Sequence, residues 1–186
     1  MTRKYSFLSK TQWVYNSYTI EAIRDEDKYL IMKWRNEQLF HLRQSEPLTV
    51  QQQENYFQDV VARLFEETKP NQILFSYLKD NVCFGYGGLV HINWQDKNAE
   101  ISFVMNTSLE KNEFEIHWQN FLRLIQQIAF EELDLHKIYT YAFDLRPRLY
   151  NALSNEGFKK EAVLVDHVFY NNKYVDVLIH SKININ

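Results

Sequence analysis

The chain has 186 residues, 45% apolar and 16% aromatic, enough for one domain with a full core and short for two. That composition excludes an intrinsically disordered chain, and a formal net charge of −3 gives no electrostatic basis for nucleic-acid binding. A single cysteine, Cys83, excludes an intramolecular disulfide and fits a reducing compartment.

Met1–Leu8 carries basic residues without the apolar run of a signal peptide. No stretch approaches the ~18 apolar residues of a bilayer span. A cytoplasmic protein without a membrane span is the expectation. Residues 1–17 read as an arm or an extra edge strand, with a single domain over 18–186. Tyr18–Ile23 alternates like a short strand. Asp25 then offers an N-cap to a helix carrying Leu30, Ile31 and Trp34. Thr49-Val50-Gln51-Gln52 has capping-box spacing, and Phe57, Val60, Val61 and Leu64 recur with helical period, so a second helix covers about 50–67. Pro70 ends it.

Ile73–Leu78 and Cys83–Trp94 read as strands, the latter interrupted by Gly85, Gly87 and Gly88, which mark a bulge or a close backbone approach. Ala99–Met105 is apolar on both faces and reads as a central strand. A charged loop, Glu110–Glu113, precedes a long amphipathic helix from Phe114 to Leu133. Lys137–Phe143 is a buried strand. Pro147 opens a helix that runs to Asn155, and Gly157 stops it. Val163–Tyr170 and Tyr174–Ser181 form a hairpin turning at Asn171-Asn172. The order β-α-α-β-β-β-α-β-α-β-β predicts an α/β domain with a mixed sheet, the β-α-β over 99–143 being a parallel crossover.

That order resembles the GNAT N-acetyltransferase superfamily. Local strings are similar as well: Ile20–Asp27 with Lys33-Trp34-Arg35-Asn36, Gly85–Leu89, Ala99–Phe103, Glu131–Ile138 and Asn155-Glu156-Gly157-Phe158. The first of these looks like the branch containing ribosomal-protein and amino-sugar acetyltransferases. The resemblance spans roughly residues 18–181. It implies an acyl-CoA N-acyltransferase fold, acetyl-CoA as co-substrate and direct acetyl transfer to a primary amine. The chain departs from the family pattern in two places. The family's glycine-bearing loop falls on Glu110–Glu115, which holds no glycine. In the last helix Leu153 stands where the family has tyrosine, and the family's asparagine near the helix start is replaced.

The resemblance implies backbone contacts from Phe103, Val104 and Met105 to the thioester and its arm. The diphosphate then falls to Lys111, Asn112, Glu113, Phe114 and, further along, Asn155. Glu100, a carboxylate in an otherwise apolar central strand, is the leading candidate base. His91 is the second, with Asp144 and His136 behind it. Tyr150 is the candidate proton donor to the leaving thiolate. Each has a plain structural alternative: a bonded strand carboxylate, a structural histidine, a packing tyrosine.

Trp34, Arg35, Asn36, Arg43 and His91 border the expected acceptor pocket. Two arginines suit a phosphate or carboxylate, and the aromatic and polar side chains among them suit a sugar ring. A nucleotide-linked amino sugar is the expected acceptor, a protein N-terminal amine the alternative. A third alternative, motivated by the glycine-free loop, keeps the fold as a binding module without catalysis. The six histidines and Cys83 show no ligand spacing, so no metal is expected. A homodimer is left open.

Overall fold

The computed structural model describes residues 3–185; residues 1, 2 and 186, the ends of the expected arm and domain, lie outside the described residues. Eight strands form one sheet in the order β1-β2-β3-β4-β5-β6-β8-β7. They are β1 (Gln12–Tyr15), β2 (Tyr18–Ala22), β3 (Ile73–Lys79), β4 (Val82–Asn93), β5 (Asn98–Met105), β6 (Lys137–Phe143), β7 (Lys159–Tyr170) and β8 (Lys173–Ile183). Every neighbouring pair is antiparallel except β5 and β6, which the long helix links in parallel.

Local chemistry explains the turns. Asp80-Asn81 and Asn171-Asn172 all have positive φ, the conformation that two-residue hairpins require and that Asn and Asp tolerate. Thr49 makes the expected capping box with Gln52. The helix it opens starts as Val50–Asn55, widens into a π turn over Tyr56–Val61 and closes at Ala62–Leu64. Asp25 does not cap the first helix. It begins a 3-10 turn, Asp25–Asp27, and the helix proper is Lys28–Glu37. Asp27 is buried because its carboxylate is occupied by Arg24 and by the Ser76 hydroxyl. The long helix starts earlier than its apolar stripe suggests, at Glu110, and runs to Gln126 before a π segment, Gln127–Glu132. Ahead of it, Asn106 accepts a hydrogen bond from Ser108 N–H and starts the 3-10 turn Thr107–Leu109. The last helix is Pro147–Asn155, and Gly157 leaves it at φ +82°.

Within the core, Phe103 stacks on Phe121 with ring centroids 4.1 Å apart, and Trp118 meets it edge-on at 5.1 Å. Each such ring, fully buried, contributes about 1.5–3 kcal/mol. The arm is tied in through Tyr5, whose hydroxyl donates to the Leu74 carbonyl and accepts from the Leu74 N–H.

One irregularity of the sheet positions the site. β5 and β6 pair only at Asn98–Lys137, Ala99–Ile138 and Glu100–Tyr139. Beyond that level β5 stays with β4 as far as Met105, and β6 stays with β8 as far as Phe143. The sheet therefore splits at Glu100.

Candidate active site

The ladder's phase decides which backbone groups line the split. Asn106 N–H donates to Phe84 C=O at 2.8 Å, and on the other edge the Lys97 carbonyl accepts from His136 and Lys137. Antiparallel pairing alternates, so the N–H and C=O groups of Ile101, Phe103 and Met105 turn away from β4 and into the split. Past Glu100 no strand satisfies them. The Met105 carbonyl is taken by the buried Gln38 amide at 2.8 Å. Val104 is the exception to the sequence expectation. Its backbone groups face Tyr86 on β4, and Ile101 takes its place among the free amides.

The two faces of β5 differ. Phe103 lies against the long helix. Glu100, Ser102 and Val104 face the first two helices, the side on which Tyr86, opposite Val104, accepts from Arg35 at 2.6 Å. A cavity of about 170 Å³ is lined by Arg35, Arg43, Glu100 and Ser102 from one face and by Phe103, Trp118, Arg146 and Leu149 from the other. It therefore crosses the sheet through the split. On its wall, Thr140 Oγ1 and Trp118 Nε1 are buried without a hydrogen-bond partner. Native interiors rarely leave such groups unpaired, so both are groups a ligand would satisfy.

Glu100 is 6% exposed and is not an isolated carboxylate. Arg43 donates to its Oε1, and His91 Nδ1 lies 2.9 Å from its Oε2. His91 reaches it because β4 bulges between Val90 and Asn93, where His91 takes φ +50°. The Arg43 guanidinium also sits over the Tyr141 ring at 4.6 Å. Glu100, His91 and Arg43, picked out separately in the sequence, thus form one cluster at the head of the split.

Other expected residues lie elsewhere. Tyr150 stacks on His180 and donates to Asp144 at 2.7 Å; burial, and then that bond, push its hydroxyl pKa up, and it does not line the cavity. Trp34 is core, 2% exposed. Asn36 staples the following loop by bonding both the N–H and the C=O of Leu48. Arg35 does reach the cavity, held by Tyr86 and by Gln44, and no described carboxylate pairs with it. At the start of the long helix, Lys111 and Asn112 are exposed, while Glu113 reaches down the helix toward His117 at 3.4 Å. Phe114 is core, roofed by the guanidiniums of Arg148 at 5.0 Å and Arg146 at 5.6 Å. Asn155 lies at the far end of the last helix, in a recess with Arg123, Gln126 and Lys182, a helix length from Lys111.

Two residues at that helix start went unread in the sequence. Arg148 donates to the carbonyls of Glu110 and Lys111, clamping the last helix to the long one. Arg146 lines the cavity itself, and burial lowers its pKa to about 10. The legible signal was Arg146-Pro147-Arg148, two cations around a proline that fixes a first helical turn. His41, also on the cavity wall, is held neutral, its pKa lowered to about 3 by burial and by Arg146 and Arg35. Among the described residues no group of three His, Cys, Asp or Glu is placed to hold a metal ion, and no helix is long and apolar enough to cross a membrane.

The profile of the acetyltransferase (GNAT) domain matches residues 20–179. The chain belongs to that family. It is an N-acetyltransferase whose acyl donor is acetyl-CoA, and the binding-module alternative falls away. Solved structures share the fold. The spermidine N-acetyltransferase of Vibrio cholerae, in complex with CoA and spermine, superimposes with a TM-score of 0.75 at 19% identity, covering 90% of this chain and 95% of that one. Mutant forms of the spermidine/spermine N-acetyltransferase SpeG from the same organism give 0.73 at 21% identity, covering 90% and 94%. A probable acetyltransferase gives 0.71 at 19%, covering 92% and 96%. No curated protein matches the chain at a significant level.

Proposed function

We propose that the chain transfers acetyl directly from acetyl-CoA, lying in the split between β5 and β6, to the primary amine of an acceptor that carries negative charge, a nucleotide-linked amino sugar being the reading that fits best. The carrying observation is the cavity that crosses the sheet, with free strand amides on its wall and Glu100 at its head. A thioester carbonyl beside the Ile101–Met105 edge meets N–H groups where charge develops on its oxygen. The amine arrives from the side of the first two helices and attacks the carbonyl carbon, forming the C–N bond. The acceptor enters as its ammonium ion: before attack Glu100 takes one of its protons, freeing the lone pair, and the exposed His91 on its other oxygen relays that proton to solvent. As the C–S bond breaks, the second amine proton passes to the departing thiolate, so coenzyme A leaves as the thiol.

The acceptor side supports an anionic partner. Arg35 and Arg43 line the cavity on that side; Arg43 is paired with Glu100, and no described carboxylate pairs with Arg35. A neighbouring cavity of about 320 Å³, lined by Ile31, Arg35, Gln52, Tyr56, Phe57 and Tyr86 among others, holds no carboxylate. A polycation would meet the uncompensated Arg35 guanidinium there, whereas a phosphate would pair with it. An open groove of about 740 Å³ beside it, lined by Phe40, Arg43, Phe143 and Phe169, leaves room for a polypeptide and keeps the N-terminal-amine reading as the second one.

The test is a thiol-release assay with acetyl-CoA against three acceptors: a nucleotide-linked amino sugar, spermidine and a short peptide. Turnover with the first is expected, and turnover with spermidine alone overturns the acceptor reading. Glu100→Gln should lower kcat about 100-fold or more at unchanged donor affinity, and undiminished turnover would remove Glu100 from the base role.

A further inference from the structure

The turn before the long helix lacks glycine, so the donor's diphosphate needs another source of compensating charge. We propose that Arg146 anchors that diphosphate from the opposite wall of the split, and that Glu110 is the anion it exchanges when the donor binds. The inference rests on the reading that the donor lies in the split.

Position comes first. Tyr139 is level with Glu100, and Phe143 lies four residues further along β6, about 13 Å away. Arg146 follows just beyond, as the residue before the last helix. Glu100 and Arg146 therefore mark opposite ends of one channel. Between them the walls offer the free strand amides and the unpartnered Thr140 Oγ1 and Trp118 Nε1. An extended arm bearing amide groups, with a reactive thioester at one end and an anion at the other, matches that sequence of groups.

The far end is electrostatically incomplete. Arg146 has a side chain only 15% exposed, and the one carboxylate near it is Glu110 Oε1 at 3.9 Å, beyond hydrogen-bonding distance. That Glu110 oxygen is itself buried without a partner. A buried guanidinium and a buried carboxylate thus face each other unbonded, an arrangement that gains little from its charges while both remain desolvated. Burial raises the Glu110 pKa, opposed by Arg146 and Arg148. Glu110 is also the first residue of the long helix, where the positive end of the helix dipole lies, although its own N–H is already donated to the Thr107 carbonyl of the preceding 3-10 turn. A diphosphate placed there would accept from Arg146 at that positive end, and the Glu110 carboxylate would have to swing out. Lys111, exposed on the same turn, adds a mobile charge at the rim.

Isothermal titration separates the possibilities. The probes are coenzyme A, 3′-dephospho-coenzyme A, which keeps the diphosphate, and acetylpantetheine, which lacks it. Arg146→Gln should weaken both coenzymes about 10- to 100-fold and leave acetylpantetheine unchanged. Arg146→Lys should recover part of the loss. Glu110→Gln, which removes the competing anion, should tighten both coenzymes several-fold. Equal weakening of acetylpantetheine by Arg146→Gln, weakening of coenzyme A alone, or no tightening in Glu110→Gln would each overturn the proposal. Failure of the unsubstituted protein to bind coenzyme A would instead overturn the placement of the donor.

Discussion

Gly87 and Gly88 hold β4 against its neighbours, and adding one methyl group at either position measures how much the split depends on that packing. A Cβ on Gly87 would lie 2.1 Å from the Ser102 carbonyl oxygen, 2.9 Å from Phe103 Cα and 2.9 Å from Phe121 Cζ. Two of these are backbone atoms of β5, so no rotamer change relieves the clash. The strands must part by roughly 1 Å to restore ordinary contact. Overpacking of this kind costs about 1–3 kcal/mol, and stretching one or two ladder hydrogen bonds adds about 1 kcal/mol each. Gly87→Ala should therefore lose about 2–5 kcal/mol, a large share of a domain's usual 5–15. Because Phe103 is opposite Gly87, the free amides of the split shift too, and donor affinity should fall in whatever fraction stays folded. Denaturant unfolding followed by tryptophan fluorescence gives the stability, and titration with coenzyme A gives the affinity. A variant within 1 kcal/mol of the unsubstituted protein that binds coenzyme A unchanged would refute the claim that β4 must approach β5 this closely. Pairing Gly87→Ala with Phe121→Leu should recover only the small part of the loss that arises at Phe121 Cζ.

The capping box is testable on its own: Thr49→Ala should cost about 1 kcal/mol in denaturant unfolding, and no loss would mean the helix start is held from elsewhere. His41 makes stability fall in acid. Its folded pKa of about 3 lies below the ordinary histidine value of 6.5, so between these pH values the unfolded chain binds more protons and unfolding is favoured as pH drops. From pH 7 to pH 5 the loss from this residue is at most about 2 kcal/mol. Thermal melts of His41→Gln should lose correspondingly less over that range, and equal losses would show that other groups carry the acid sensitivity.

Most of the fold was legible because its signals are local. Thr49 and Gln52 cap a helix, Asn171-Asn172 turns a hairpin and Gly157 ends the last helix, and each of these features requires only neighbouring residues. The misplacements share a physical cause. Asp25 looked like a cap because acidic residues favour helix starts, but Asp27 is drawn inward by Arg24 and by Ser76, 49 positions away. The apolar stripe of the long helix begins at Phe114, whereas Asn106 and Ser108 begin the turn that leads into it. In the site, Glu100, His91 and Arg43 were found as types of residue. Their union depends on a bulge at His91 and on a loop that brings Arg43 across 57 positions, and neither has a sequence period. The strand phase that turns Val104 toward β4 and Ile101 into the split shows in the hydrogen bond at Asn106, and no sequence period carries it.

Which parts of the site depend on residue identity follows from which interactions use side chains. The split needs a strand whose outer edge has no partner, and β5 keeps that edge straight by packing on its other side. Gly85 and Gly87 allow close approach, Phe103 stacks on Phe121, and Gln38 holds the Met105 carbonyl. Given that support, the amides facing the thioester are indifferent to whether the edge residues are Ile101, Phe103 and Met105 or other apolar ones. The phosphate end has no such insurance. A cradle of backbone amides there needs glycines, and once these are absent the charge has to come from a side chain on a different element. Arg146 is placed to supply it from the last helix, next to a Glu110 that has no hydrogen-bond partner of its own for the oxygen facing it. The same logic locates specificity. In the proposed reading the acceptor meets Arg35, Arg43, Tyr56 and Tyr86, all side chains, so substitutions in that set should change which amine is acetylated while the donor continues to bind.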